Sequence, residues 1–190
     1  MAYGHAERNL ALLRQLEACA TRRHRRRKPQ IVRVQSRCGY LRRPSAVQDG
    51  DDFTRKKADI MVIFDNPATV PAPAGGYSHV ARVELGDRTL LQLSGQVAID
   101  ADRKIVGGND MAAQADFIMD NITAILAAHG ASLADVVNIR TFLTDMGQLP
   151  EYGKVRAARF TGTPPTITTV EVSRLWVPGA LLEVEVLAIT

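Results

Sequence analysis

Residues 181–189, LLEVEVLAI, constrain the fold more tightly than any other stretch of this chain. They alternate as a strand does. Leu182, Val184, Val186 and Ala188 fall on one side, and Leu181, Glu183, Glu185, Leu187 and Ile189 on the other. The second side is mostly apolar yet carries two carboxylates. Either both are solvated on an open sheet face, or at least one sits in a cleft, where partial burial makes a carboxylate a proton-transfer group. Residues 166–172 precede it, rich in the Thr and Val that suit a pleated surface, so the end of the chain reads as two strands joined by a short loop, a hairpin.

Upstream, MVIF at residues 61–64 is a short strand candidate, followed by a Pro/Gly-rich connection at residues 66–76 that cannot be helix or central strand. Residues 78–85 and 89–97 read as two strands about a Gly86-Asp87 turn. Gly95, near the end of the second, lets another group approach the backbone closely. Met111, Ala115, Ile118, Ile122, Ile125 and Leu126 form one apolar stripe on a helix over residues 110–129, capped by Asn109 or Asp110 and ended by Gly130. His129 falls in its last turn, where a dipole or surface role is expected of it. Residues 135–144 are a strand and residues 149–160 a second, weaker helix. The order β, β, β, α, β, α, β, β predicts an α+β sandwich, a mixed six-stranded sheet with two helices on one face. Its other, half-apolar face needs a cover, so self-association is expected.

Charge sets the first third apart. Residues 1–60 hold fifteen of the 24 Lys and Arg but six of the 20 Asp and Glu, so a basic extension precedes an acidic domain over residues 61–190. Within it, residues 9–20 read as a short amphipathic helix, residues 22–28 as a self-repelling basic block, and residues 42–57 as linker or disorder. Three readings stand for the extension: contact with nucleic acid or acidic surfaces, an organellar targeting peptide, or a start of translation at Met61, where the apolar patterning begins. No aromatic residue is interleaved with the arginines, which argues against a nucleic-acid site. No apolar run is long enough to span a membrane as a helix, so no membrane partner is expected. Both cysteines, Cys19 and Cys38, lie in the extension, and a cytoplasmic location is expected of the cysteine-free domain.

The chain has no Walker loop, GxGxxG, HExxH, CxxC or GxSxG, and no paired histidines at ligand spacing. No cofactor or metal is expected. Any chemistry rests on carboxylates, hydroxyls, backbone groups and water.

Five blocks taken in order carry a resemblance: GGY at residues 75–77, SGQVAID at 94–100 with the helix at 114–121, DVVNIRTFLTDM at 135–146, TTVEVSRL at 168–175, and LLEVEVLAI at 181–189. From about Met61 onward the chain resembles the Rid family, also called YjgF-type or L-PSP-type proteins. That resemblance implies a chorismate-mutase-like fold, a homotrimer with clefts between subunits, and cofactor-free hydrolysis of reactive enamines and imines to carbonyl products and ammonia. By the same resemblance Tyr77 lines the cleft, Ser94 is the serine of the SGQ motif, and Glu183 orients or activates the attacking water. The family's substrate-binding arginine falls on Ile167, beside Thr168, its cysteine position on Thr169, and its second-helix asparagine on about Gly153. Isoleucine cannot make a charge-assisted bond to a substrate carboxylate. Arg140 and Arg174 are the cations that stand as substitutes.

Two functions follow. One is a Rid-like enamine/imine deaminase whose substrate is not the usual small amino-acid-derived imine, with Glu183 catalytic and Tyr77, Ser94, Ile167, Thr168 and Thr169 binding. The other is a non-catalytic trimer that binds a small molecule in the same cleft.

Overall fold

Alternation and turn chemistry build the sheet. In the computed structural model, which describes residues 30–34 and 60–190, seven strands and two longer helices are laid out. The strands are β1 (Gln30–Val34), β2 (Ile60–Asp65), β3 (Val80–Leu85), β4 (Arg88–Gln96), β5 (Val136–Leu143), β6 (Thr166–Glu171) and β7 (Leu182–Ile189). The helices are α1 (Met111–Ala127) and α2 (Leu149–Arg159). Gly86 turns the β3–β4 hairpin at φ 72°, a left-handed conformation that glycine adopts without strain. The sheet runs β1-β2-β3-β4-β7-β5-β6. Every pairing is antiparallel except β5 with β6.

The six strands from Ile60 onward form the expected mixed sheet, and two features differ from the sequence reading. The last two strands are not a hairpin: β5 lies between them, antiparallel to β7 and parallel to β6. The sheet also gains a seventh, outermost strand, since Gln30–Val34 pairs in antiparallel register with β2. This strand comes from the basic extension. The helix expected at residues 9–20, the basic block at 22–28 and the linker at 42–57 lie outside the described residues.

The core lies between the sheet and the helices. Leu182, Val184, Val186 and Ala188 are all buried, with Leu91 and Leu93 of β4 beside them and the apolar stripe of α1 above. Asp110 caps α1 by accepting from Ala113 N at 3.1 Å, which contributes about 1 kcal/mol over alanine. The hydroxyls of Thr141 on β5 and Tyr152 on α2 meet at 2.9 Å inside the core, and burial pushes the Tyr152 phenol above its ordinary pKa. Arg159 holds the helices together, 2.8 Å from Asp116 and 2.7 Å from Asp120. His129 is not a surface residue: its side chain is 4% exposed, bonded to Ile125 O at 2.9 Å and lying 3.4 Å from Asp65 of β2. It fastens the end of α1 to the sheet.

A second latch is Gln114 of α1, fully buried. Its amide donates to Gly108 O and Gly179 O at 2.6 and 2.9 Å and accepts from Leu181 N at 2.9 Å. Leucine there removes three part-buried hydrogen bonds, each contributing about 0.5–1.5 kcal/mol. Gln114→Leu is therefore expected to lose roughly 3 kcal/mol of stability in urea unfolding. A midpoint and slope equal to the parent's would remove the latch from this account.

Candidate functional site

Glu183 faces away from the helices, on the odd-numbered side of β7, and is half-buried there. The register of β4 against β7 shifts between Leu93 and Gln96, so β4 bulges at Ser94-Gly95. At the bulge the chain has no side chain: a Cβ built on Gly95 would stand 1.8 Å from Glu183 Oε1 and 2.6 Å from its Cδ. The Glu183 carboxyl thus lies in a notch that only glycine leaves open. Desolvation, and then the charge of Glu185 two residues on, holds its pKa above the ordinary glutamate value. A carboxylate of that kind is a stronger base than a solvated one.

Ser94 precedes Gly95 in the bulge, and Tyr77 is tied to it through the loop before β3. The Ser94 hydroxyl donates to Ser78 O at 2.7 Å and its N–H to His79 O at 2.9 Å, so it straps the end of β4 to the loop that carries Tyr77. Tyr77 is 40% exposed, its ring edge-on to His79 with centroids 6.1 Å apart. Tyr77, His79, Gly95 and Gln96 line one small cavity together with Asn121 of α1, and Glu183 is not among its lining residues.

Ile167, Thr168 and Thr169 are not gathered with these groups in the single chain. Across the parallel pairing Ile167 aligns with Ile139 and Thr169 with Thr141, both buried on the helix side of the sheet. Glu183 is on the opposite side. Thr168 does share its face but aligns with Arg140, one row beyond Phe142, the residue opposite Glu183. Ile167, 38% exposed, marks the sheet edge.

Glu185 has a separate task. Its Oε2 lies 2.5 Å from Arg140 Nη2, an ion pair across neighbouring strands. The pair commits Arg140 to the strand, so it is not a free anchor beside Glu183. Gly153 is on α2, across the sheet from Glu183. Among the described residues no group of three or more His, Cys, Asp and Glu is placed to hold a metal ion, and no helix is long and apolar enough to cross a membrane.

An α+β sheet with one helix-covered face, and a carboxylate set in a backbone notch on the other, defines the class. The sequence profile described as Endoribonuclease L-PSP matches residues 67–190, and the chain belongs to that family, the YjgF/Rid proteins. Protein DfrA of Myxococcus xanthus is 39% identical over 121 residues, 63% of this chain and 89% of its own length. The 2-iminobutanoate/2-iminopropanoate deaminase of Escherichia coli is 33% identical over 125 residues, 64% of this chain and 94% of its own. Among solved structures, RidA from an Antarctic Psychrobacter superposes with a TM-score of 0.57 at 31% identity, covering 64% of this chain and 94% of that one.

Proposed function

We propose that this protein is an enamine/imine deaminase that hydrolyses reactive imines to a carbonyl product and ammonia, with Glu183 as the proton-transfer group. The half-buried Glu183 carboxyl in the Gly95 notch carries this reading. The similarity to a deaminase of 2-iminobutanoate and 2-iminopropanoate supports it.

Glu183 takes a proton from water as the water oxygen bonds to the imine carbon. The C=N electron pair moves to nitrogen, which accepts that proton. In the resulting carbinolamine the hydroxyl proton passes by the same carboxylate to nitrogen, the C–N bond breaks, ammonia leaves, and the oxygen becomes a carbonyl. Neither step needs a redox partner. Tyr77 and the strand end at Ser94 form one wall.

The other wall is the edge of β6 from a second copy. Ile167, Thr168 and Thr169 are separated from Glu183 within one chain, and the open sheet face, with Leu187 and Phe142 half-buried and Ile189 exposed, needs a cover. A homotrimer with clefts between subunits satisfies both needs. Isoleucine at 167 supplies no charge, so the substrate group set against it is apolar rather than a carboxylate.

The test is ammonia release from imines generated in situ, with and without a carboxylate, by protein whose mass is read by light scattering. Release by a trimer, faster from apolar imines, is expected. A turning-over monomer contradicts the intersubunit wall. Tight binding of imines by a trimer that releases no ammonia establishes the binding-only protein instead.

A further inference from the structure

His79, 6% exposed, lines the small cavity with Tyr77 and Gly95 and takes no part in the proposed reaction. Its Nε2 lies 2.8 Å from Pro71 O. A carbonyl oxygen only accepts, so Nε2 carries the hydrogen and Nδ1 is left as an acceptor. Facing Nδ1 at 3.4 Å is Gln96 Nε2, which also donates to Ser94 O at 2.9 Å. The backbone is tied at the same place: His79 N donates to Asn66 Oδ1 at 2.8 Å, and His79 O accepts from Ser94 N at 2.9 Å. The Pro/Gly-rich loop over residues 66–79 is therefore held at its start, at Pro71 and at its end by one residue. Tyr77 packs edge-on against that ring, and Gly95 lies between the two residues, Ser94 and Gln96, that this network joins.

We infer that His79 is a positioning residue: in its neutral form it locks the Tyr77 wall of the cleft to the strand end that holds Glu183. The inference rests on that cleft being the reactive site. Protonation would place a second N–H on Nδ1, facing the N–H of Gln96. Gln96 cannot turn its oxygen toward that N–H without giving up Ser94 O, so the lock opens. The loop, β4 and α1 contribute Pro71, Tyr77, Gln96 and Asn121 to the same cavity, and Tyr77 is the one other titratable group among its lining residues. Burial keeps the imidazole below its ordinary pKa of 6.5, so the lock is closed at neutral pH. The unfolded chain takes up this proton at a higher pH than the native one. The stability contributed by neutral His79 is thus present above 6.5 and lost as pH falls toward the lowered native value.

Nitrogen and carbon NMR on the isotope-labelled full chain tests this without reference to any reaction. The His79 ring should show hydrogen on Nε2 and titrate below 6.5, and the Tyr77 ring signals should move with the same midpoint. His79→Gln keeps a donor and an acceptor but does not titrate, so the Tyr77 shift over that range should vanish while the neutral-pH spectrum is retained. In turnover, an acid-side loss of kcat/KM with the His79 midpoint should disappear in the same variant. A Tyr77 ring blind to the His79 titration, an Nδ1–H tautomer, or a Tyr77 shift that persists in His79→Gln would overturn the inference. If Tyr77 follows His79 but no imine is hydrolysed, the proposed reaction fails and the lock stands.

Discussion

Alanine at position 95 is expected to lower kcat by about 100-fold and to leave the fold in place. The methyl group would stand 1.8 Å from Glu183 Oε1, closer than any real contact, so something must move. The three nearest atoms, Oε1, Cδ and Cγ, all belong to the Glu183 side chain, so that side chain as a whole swings out of the notch while the backbone of the sheet stays. Misplacing a reacting group by about 1 Å costs on the order of 10²-fold in rate. The KM should change little, because the walls at Tyr77 and Ser94 stay where they are. Circular dichroism and turnover on the same preparation check both halves. A Gly95→Ala variant with parental kcat would show that the notch does not position the reacting group.

Glu183→Gln is expected to lower kcat by roughly 10²–10⁴-fold, the usual contribution of a positioned general acid–base group. Glutamine fills the notch but cannot exchange a proton. Two pH effects accompany the loss. In the parent protein the acid limb of kcat/KM should lie above the ordinary glutamate range, because desolvation and Glu185 favour the protonated form; in the variant that limb should be absent. Stability should move the other way. With a native pKa raised above the unfolded one, Glu183 contributes stability that is fully present below the unfolded value and lost as pH rises through the native value. Removing the charge therefore raises the melting temperature at neutral pH, and the gain shrinks in acid. A variant less stable than its parent at neutral pH would contradict the desolvated carboxyl.

Much of the fold was legible because one-sided burial leaves a pattern. The alternation of residues 181–189 separated buried Val184 and Val186 from Glu183 and Glu185, and the i, i+3, i+4 stripe defined α1. Gly95 was legible as a point of close approach, though not what approached it: the partner is 88 positions along the chain, in the neighbouring strand. The pairing of β5 between β6 and β7 was not legible. Thr166–Glu171 carries threonine toward both faces, so its composition favours no neighbour, and a parallel pairing leaves no turn in the sequence to announce it. Gln30–Val34 was hidden by its setting, five residues among arginines, and its role is fixed by the backbone of β2. His79 gave no signal because a lone histidine has none. Its meaning comes from Pro71 and Gln96, which the fold alone brings to it.

Glu183 and Gly95 are expected to act as one unit, and a double-mutant cycle on ammonia release measures that directly. Neighbouring groups that act together give non-additive losses. Gly95→Ala added to Glu183→Gln should slow the reaction no further than Glu183→Gln alone. Losses that multiply, or a Glu183→Gln protein that turns over like its parent, would contradict it.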